Sequence, residues 1–213
     1  MRNTFKKAQE GKQLLKDDLW MWSQLSEKLQ KQNYCKLSQF ERVVDWKMTR
    51  GLFRPRNKQL LSDNGESDVE KYSREAFEMA DSQPKKAISL LCKLKGIGPA
   101  TASALLAVYC PEKYPFMSDE GMTTAGLPLK YTEKAYADYK SAIDNKINAL
   151  PFLHDWSAND VQQALWCYTI IKKFKYEELL YVAVVKSKKA TKRVRQVDEN
   201  EEPPKNKKNK KNL

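Results

Sequence analysis

The stretch that decides the fold reads Leu94-Lys95-Gly96-Ile97-Gly98-Pro99-Ala100-Thr101-Ala102-Ser103-Ala104-Leu105-Leu106. Pro84 and Pro99 each suit the first position of a helix, because proline lacks an N–H and fixes φ at a helical value. Gly96 and Gly98 permit a tight turn between those two helices. The second helix is apolar on nearly all sides, which is typical of a buried helix. The stretch therefore predicts two helices joined by a short hairpin, with the second helix at the centre of the core.

The residues on both sides of this hairpin, which spans 84–110, also predict helices. Apolar side chains recur at spacings of three and four, and Ser38, Ser67 and Ser157 are candidate helix caps. The fold class is therefore all-α, with one helical domain over residues 1–185. The apolar stripes are Leu15, Leu19, Trp22, Leu25 and Leu29; Phe40, Val43 and Val44; Val69, Tyr72, Ala76 and Ala80; Tyr136, Tyr139, Ile143, Ile147 and Leu150; and Val161, Ala164, Leu165, Tyr168 and Ile171. Residues 179–185 fit either a strand or a final helix.

Positive charge is concentrated at the C-terminal end. The 213 residues hold 39 Lys and Arg against 27 Asp and Glu, a net charge of +12. Residues 186–213 alone hold 11 basic and 4 acidic residues, with too few apolar side chains to form a core. We expect a disordered tail whose basic clusters act as a nuclear localisation signal and a non-specific nucleic-acid arm. The alternative is a charged run that only aids solubility.

The composition argues against a membrane protein, a disulfide-stabilised scaffold and a zinc finger. No apolar run approaches the roughly 18 residues that span a bilayer, so no membrane partner is expected. The four cysteines are isolated and the chain has one histidine, His154, which disfavours a disulfide scaffold or a zinc finger. We expect a nuclear monomer that needs neither a metal nor another cofactor.

The turn between the two hairpin helices is a candidate anion site. The first N–H groups of a helix and the positive end of its dipole favour a phosphate group. The segment expected to contact a nucleic-acid backbone comprises Lys95, Gly96, Ile97, Gly98, Ala100 and Thr101. The alternative is a helix–helix turn with no ligand.

This segment resembles the helix-hairpin-helix of the DNA glycosylase superfamily whose members carry a Gly/Pro-rich loop and a catalytic aspartate (HhH-GPD). The family pattern is Leu-Pro-Gly-Val/Ile-Gly-x-x-Thr-Ala, and Lys95 replaces its proline. The matching residues are Leu94, Gly96, Ile97, Gly98, Thr101 and Ala102. The resemblance covers roughly residues 84–125. It implies a glycosylase-like helical fold, a double-stranded DNA partner and hydrolysis of an N-glycosidic bond in base excision repair.

In this family the catalytic aspartate follows the second hairpin helix in a proline-containing apolar loop. The segment Pro115-Phe116-Met117-Ser118-Asp119 stands at that spacing, so the resemblance implies that Asp119 is catalytic. A fixed carboxylate stabilises the positive charge that develops on the sugar as the bond to the base breaks. The alternative is that Asp119 caps a helix starting near Glu120, a role it could share with Ser118.

Two departures from the family pattern bear on the chemistry. Members with lyase activity carry a lysine where this chain has Ala100, so the resemblance implies a monofunctional glycosylase without lyase activity. Glu120 and Gly121 follow the aspartate in place of a histidine common in several branches, and the added carboxylate would repel a DNA backbone. The alternative function is a non-catalytic helix-hairpin-helix module that binds DNA. A third is a helical interaction protein.

A basic segment precedes the hairpin. Residues 47–58 contain five positive charges and no acid, and we expect Lys47, Arg50, Arg54 and Arg56 to contact DNA phosphates. The alternative is a solvated helix end. Residues 44–55 also resemble a little-characterised eukaryotic branch of the same superfamily.

Two residues of this segment are candidates for a more direct role at the site. Trp46 is a candidate for stacking on a base. If Lys47 faced the pocket, its amine could act as a nucleophile in place of the missing one.

Overall fold

A computed structural model of the chain describes residues 2–51, 54–150, 153 and 155–175, with only the backbone for residues 2–10. This part of the chain is helical and contains no β-strand, which confirms the all-α class. The tail 186–213, residues 179–185 and His154 lie outside the described residues. The helices are α1 (Arg2–Leu19), a π-helical segment (Trp20–Leu25), α2 (Ser26–Gln32), α3 (Leu37–Arg50), α4 (Pro55–Ser62), α5 (Glu66–Met79), α6 (Pro84–Leu91), α7 (Pro99–Tyr109), α8 (Asp119–Thr124), α9 (Glu133–Ala149) and α10 (Ala158–Lys173).

The chain divides into two compact units, residues 1–169 and 170–213. The hairpin and all the site residues described below belong to the first unit. No helix among the described residues is long and apolar enough to cross a membrane. The same residues include no group of three or more His, Cys, Asp or Glu side chains arranged to hold a metal ion.

Helix α7 is the centre of the core. Every residue from Pro99 to Val108 is buried, as expected from its apolar composition. Helices α2, α3, α6 and α9 pack around it. Pro84 and Pro99 stand at the first turns of α6 and α7, so the prediction of two helices joined by a short turn is confirmed.

The face of α1 that packs inward differs from the prediction. Leu15 and Leu19 are 70% and 65% exposed, while Asp17 is only 8% exposed. Asp17 accepts hydrogen bonds from Arg42, at 2.8 Å from Nη2. The wider turn of the π-helical segment also breaks the regular spacing on which the predicted stripe depended. Past that segment the prediction is correct, because Leu25 and Leu29 are fully buried.

The predicted helix starts are correct in part. Helix α3 begins at Leu37, where the Gln39 side chain accepts from the Lys36 N–H, so Ser38 is not its cap. Helix α5 begins at Glu66, ahead of Ser67. Ser157 does cap α10, because its hydroxyl accepts from the backbone N–H of Asp160 at 3.0 Å. On α9 and α10 the predicted stripes end early, since Leu150 and Tyr168 are 38% and 46% exposed.

Candidate functional site

A surface cleft of about 190 Å³ opens at the start of α7. Its other walls come from the end of α3, the start of α4, the start of α8 with the loop before it, the loop before α9 and one residue of α10. Three cations and two carboxylates face it. The cleft is lined by Lys47, Arg50, Gly51, Arg54, Asn57, Gly98, Pro99, Ala100, Thr101, Phe116, Met117, Ser118, Asp119, Glu120, Tyr131 and Trp166.

Gly96 forms the tight part of the hairpin turn. Its φ of +78° lies in the left-handed region that only glycine adopts readily. A Cβ at this position would overlap the backbone oxygen of Asn57 and lie 3.0 Å from Leu60 Cβ. The turn can therefore pack against α4 only because residue 96 has no side chain.

Asn64, just after α4, holds the same turn from the other side. Its Oδ1 accepts from the backbone N–H of Lys95 at 3.0 Å, and its Nδ2 donates to the Lys95 carbonyl at 3.1 Å. Lys95, Gly96 and Ile97 are not part of the cleft lining. The Ile97 side chain is only 6% exposed, so it belongs to the core. These three residues shape the turn, and the prediction that they contact DNA stays a prediction.

Gly98 lies where the turn enters α7. Its carbonyl accepts from the N–H groups of Thr101 and Ala102, both at 2.9 Å. A Cβ added at Gly98 would meet nothing within 4 Å, and its φ of −111° is open to any residue. The fold therefore does not require glycine here, whereas close approach of a ligand to the helix start would. Gly98, Ala100 and Thr101 all line the cleft.

Ser118, and not Asp119, caps α8. The Ser118 hydroxyl oxygen accepts from the backbone N–H of Gly121 at 3.0 Å and from Gln162 Nε2 at 3.0 Å. Asp119 is the first residue of the helix. The alternative reading of Asp119 as a helix cap is therefore wrong, and its carboxylate is available to the cleft.

The loop that delivers Asp119 is buried and held by side chains. Ser103 of α7 accepts from the Met117 N–H at 3.0 Å, and Tyr114 donates to the Ala80 carbonyl at 2.8 Å. The side chains of Tyr114, Phe116 and Met117 are at most 5% exposed. A loop fixed in this way keeps Asp119 at a set position relative to the start of α7.

The Asp119 carboxylate has a direct partner in the cleft. Tyr131, in the loop before α9, donates a hydrogen bond of 2.8 Å to Asp119 Oδ1. Burial, and then this hydrogen bond, raise the pKa of Tyr131 to about 12. Tyr131 therefore remains a hydrogen-bond donor across the physiological pH range.

Lys47 faces the cleft from the last turn of α3. Desolvation by burial lowers the pKa of its amine, Asp119 opposes that shift and Arg54 adds to it. Lys47 and Asp119 come from helices distant in sequence and interact electrostatically across the same cleft. Lys47 thus meets the condition on which the sequence analysis made its amine a candidate nucleophile, while that role stays a prediction.

Arg50 lies between two tryptophans. Its guanidinium carbon is 4.8 Å from the ring centre of Trp46 and 4.1 Å from that of Trp166. Its Nη1 is 3.5 Å from Asp18 Oδ1, and the side chain is 11% exposed. Desolvation by burial lowers the pKa of Arg50. Arg50 thus has a structural role in the wall of the cleft as well as a charge that faces it.

The other basic residues of segment 47–58 differ in position. Arg54 is exposed, lines the cleft and lies over the Tyr131 ring at 5.8 Å. Arg56 is exposed but lies outside the lining. Lys58 pairs with Asp45 at 2.8 Å. The segment contains no acid, yet Asp18 and Asp45 approach two of its charges through the fold.

Trp46 cannot stack on a base in this structure. It is fully buried, at 5.6 Å from the Trp22 ring and 5.3 Å from the Phe116 ring. Its indole N–H donates to Asp18 Oδ1 at 2.6 Å. The prediction for Trp46 is wrong because this side chain packs in the core.

Sequence reasoning missed three lining side chains of this cleft, namely Trp166, Tyr131 and Asn57. Trp166 is the indole that does line the cleft, and it comes from α10. Nothing in the local pattern around Trp166 and Tyr131 indicated a site, whereas Asn57 lies within the basic segment 47–58.

The chain matches no protein-family model, no curated protein and no solved structure. The assignment of a function therefore depends on the side chains that line the cleft.

Proposed function

We propose that this protein binds double-stranded DNA at the cleft and hydrolyses the N-glycosidic bond of a base, with Asp119 as the charge-stabilising carboxylate. One observation carries the proposal: the cleft brings the Asp119 carboxylate together with the first turn of α7 and three cations. Because Ser118 caps the start of α8, the Asp119 carboxylate is not used as the helix cap.

The residues divide between binding and chemistry. The start of α7 at Gly98–Thr101 suits one phosphate group, since the helix dipole and first-turn amides favour an anion. Lys47, Arg50 and Arg54 add positive charge around it. A carboxylate held at a fixed place is suited to the positive charge that develops at C1′ of the deoxyribose, and it can orient the attacking water.

The volume of the cleft is consistent with the need to take a base out of the stack. Extruding a base costs a few kcal/mol and requires a pocket beside the phosphate-binding elements. Trp166 and Tyr131 offer aromatic walls within that pocket. We propose that the basic residues 186–213 add non-specific DNA affinity and direct the protein to the nucleus.

Release of a free base is the decisive measurement. The full-length protein is incubated with duplexes that each carry uracil, an alkylated, an oxidised or a mismatched base, and the liberated base is detected by mass spectrometry. We expect release from one class of duplex, and loss of release with retained DNA binding in Asp119→Asn. Glu112→Gln, which changes an exposed carboxylate outside the cleft, is the matched control.

The outcomes separate the functions. Binding without release from any duplex would overturn the glycosylase proposal and favour the non-catalytic DNA-binding module. Neither binding nor release would leave only a helical interaction protein.

A further inference from the structure

A second depression lies between α6 and α9 and shares no residue with the cleft that contains Asp119. Its volume is about 790 Å³, and it belongs to the compact unit of residues 1–169. Its walls come from residues 83–88 at the start of α6 and from residues 133–141 of α9. The two helices are joined beside it, where the Ser89 hydroxyl donates to the Glu133 carboxylate. We call this depression the α6–α9 groove.

Lysine side chains dominate the charge of the α6–α9 groove. Lys85 and Lys86 come from the first turn of α6, and Lys134 and Lys140 come from α9. Lys140 pairs with Asp144 at 2.7 Å. The other three lysines are exposed, and none of them forms an ion pair with another described residue. These three unpaired lysines therefore offer positive charge to a negatively charged partner.

The α6–α9 groove also has an apolar floor. It is formed by Ile88 and Tyr136, which are 1% and 3% exposed, and by the half-buried Pro84 and Ala137. Exposed ion pairs each contribute little to affinity, so a molecule that binds here needs apolar groups that cover this floor. The lysines then select a partner that also carries negative charge.

An acidic peptide fits these features better than DNA or a small molecule. A DNA backbone has a charge at every nucleotide and no apolar side chain, and Glu133 and Asp138 in the same groove would repel it. A small ligand is usually enclosed by its pocket, whereas the three unpaired lysines of this groove are exposed. A peptide can space its carboxylates to face the lysines and can lay apolar side chains into a groove between two helices.

We propose that the α6–α9 groove binds an acidic, amphipathic peptide segment of a partner protein. Carboxylates of the peptide pair with the three unpaired lysines, and its apolar side chains cover the floor. The start of α6 favours the same charge, because the Gln83 side chain makes no capping hydrogen bond and the helix dipole attracts an anion there. The inference does not rest on the proposed function, since the groove and the cleft have no residue in common.

Fluorescence anisotropy with two labelled peptides tests the proposal on the full-length chain. The first peptide carries glutamate and leucine residues on opposite faces of a helix. The second peptide has serine in place of every leucine, so it keeps the charge and lacks the apolar side chains. We expect the leucine peptide to bind more tightly than the serine peptide by about tenfold or more.

Charge reversal in the groove tests the role of the lysines. Lys85→Glu/Lys86→Glu is expected to weaken binding of the leucine peptide by about tenfold or more, because two attractive charges become repulsive. This variant should fold, since acidic residues in the first turn of a helix interact favourably with its dipole. Lys28→Glu/Lys31→Glu is the matched control, because it reverses two exposed lysines of α2 outside the groove and the cleft. The control should bind the peptide as the wild-type chain does.

Cross-linking of the wild-type chain locates the peptide without any variant. A carbodiimide joins a peptide glutamate to a lysine that it contacts, and mass spectrometry of the digested product identifies that lysine. We expect cross-links at Lys85, Lys86 or Lys134. Cross-links confined to other lysines, such as those of residues 186–213, would overturn the proposal.

The binding measurements can overturn it as well. No binding of the leucine peptide, equal binding of the two peptides, or equal peptide affinities of the two double variants would each do so. Weaker duplex binding by Lys85→Glu/Lys86→Glu than by its control would assign the groove to DNA instead. None of these measurements uses base release, so failure of the glycosylase proposal is distinguished from failure of this one.

Discussion

Tyr131 Oη lies 2.8 Å from Asp119 Oδ1, and it joins the loop before α9 to the first residue of α8. The bond fixes the carboxylate, which already stands on a helix whose start is capped by Ser118. Two residues 12 positions apart thus orient one functional group in the cleft.

Tyr131→Phe is expected to lower kcat/KM for base release by about tenfold or more. A hydrogen bond to a charged group contributes roughly 1.5–3 kcal/mol, and about 1.4 kcal/mol corresponds to a tenfold change in rate. DNA affinity is expected to stay near the wild-type value, because the phenol contributes no positive charge. The measurement is single-turnover base release beside duplex binding.

Tyr72→Phe is the control for this change, since Tyr72 is half-buried and outside the cleft. An unchanged rate in Tyr131→Phe would show that the carboxylate does not depend on Tyr131 for its orientation.

Gly96 and Gly98 are expected to respond differently to alanine. Gly96→Ala should lower the free energy of unfolding by about 2–4 kcal/mol, because it combines a positive φ with a clash against α4. Gly98→Ala should leave stability unchanged or raise it by up to about 1 kcal/mol, while weakening DNA binding. Chemical denaturation and duplex titration measure the two effects separately.

The two variants serve as controls for each other, because Gly96→Ala is expected to change mainly stability and Gly98→Ala mainly DNA binding. Full DNA affinity in Gly98→Ala would mean that no phosphate approaches the backbone at the start of α7.

The hairpin was predictable because its signals are local. Two prolines mark the starts of α6 and α7, two glycines form the turn between them, and the apolar run after Pro99 identifies the buried helix. The inward face of α1 was not predictable, since it depends on the π-helical segment and on Asp17 pairing with Arg42 of α3.

The cleft, too, was predictable only where the signal lies in neighbouring residues of the sequence. Lys47 and Trp46 are adjacent on a helix, so their side chains point about 100° apart and only one can face the cleft. The basic pattern does not say which of them does. Tyr131 and Trp166 reach the cleft through packing of distant segments, for which a single sequence holds no signal.

Substitution of Arg54 is expected to affect mainly DNA binding, and substitution of Arg50 is expected to affect stability. Arg54→Gln should reduce the slope of log affinity against log salt by about 1, since it removes one exposed cation from the proposed DNA-binding cleft. Arg50→Gln should lower the free energy of unfolding by about 1–3 kcal/mol, because it removes two tryptophan contacts and the pair with Asp18. Salt titrations and denaturant unfolding of both variants provide the comparison.

Arg74→Gln controls for the loss of a cation that lies over an aromatic ring elsewhere, at Tyr34. If the salt slope is unchanged in Arg54→Gln, the wall of the cleft that contains Arg54 does not contact the DNA backbone.

Tyr136 makes the stability of the fold sensitive to alkaline pH. Its side chain is 3% exposed and its hydroxyl has no hydrogen-bond partner among the described residues. Burial, and then the nearby Tyr114 and Tyr139, raise its pKa well above the usual value. In the unfolded chain a tyrosine loses its proton at about pH 10, so above that pH the unfolded state binds fewer protons than the folded state. The free energy of unfolding therefore falls as pH rises through this range.

Tyr136→Phe is expected to reduce this alkaline loss. At neutral pH it should leave stability unchanged or raise it, because burying an unpaired hydroxyl costs about 1–3 kcal/mol. Denaturant unfolding at pH 7 and above pH 10 measures both effects, with Tyr34→Phe as the matched control at a half-buried tyrosine. A loss of more than about 1 kcal/mol at neutral pH would mean that the hydroxyl makes a stabilising hydrogen bond.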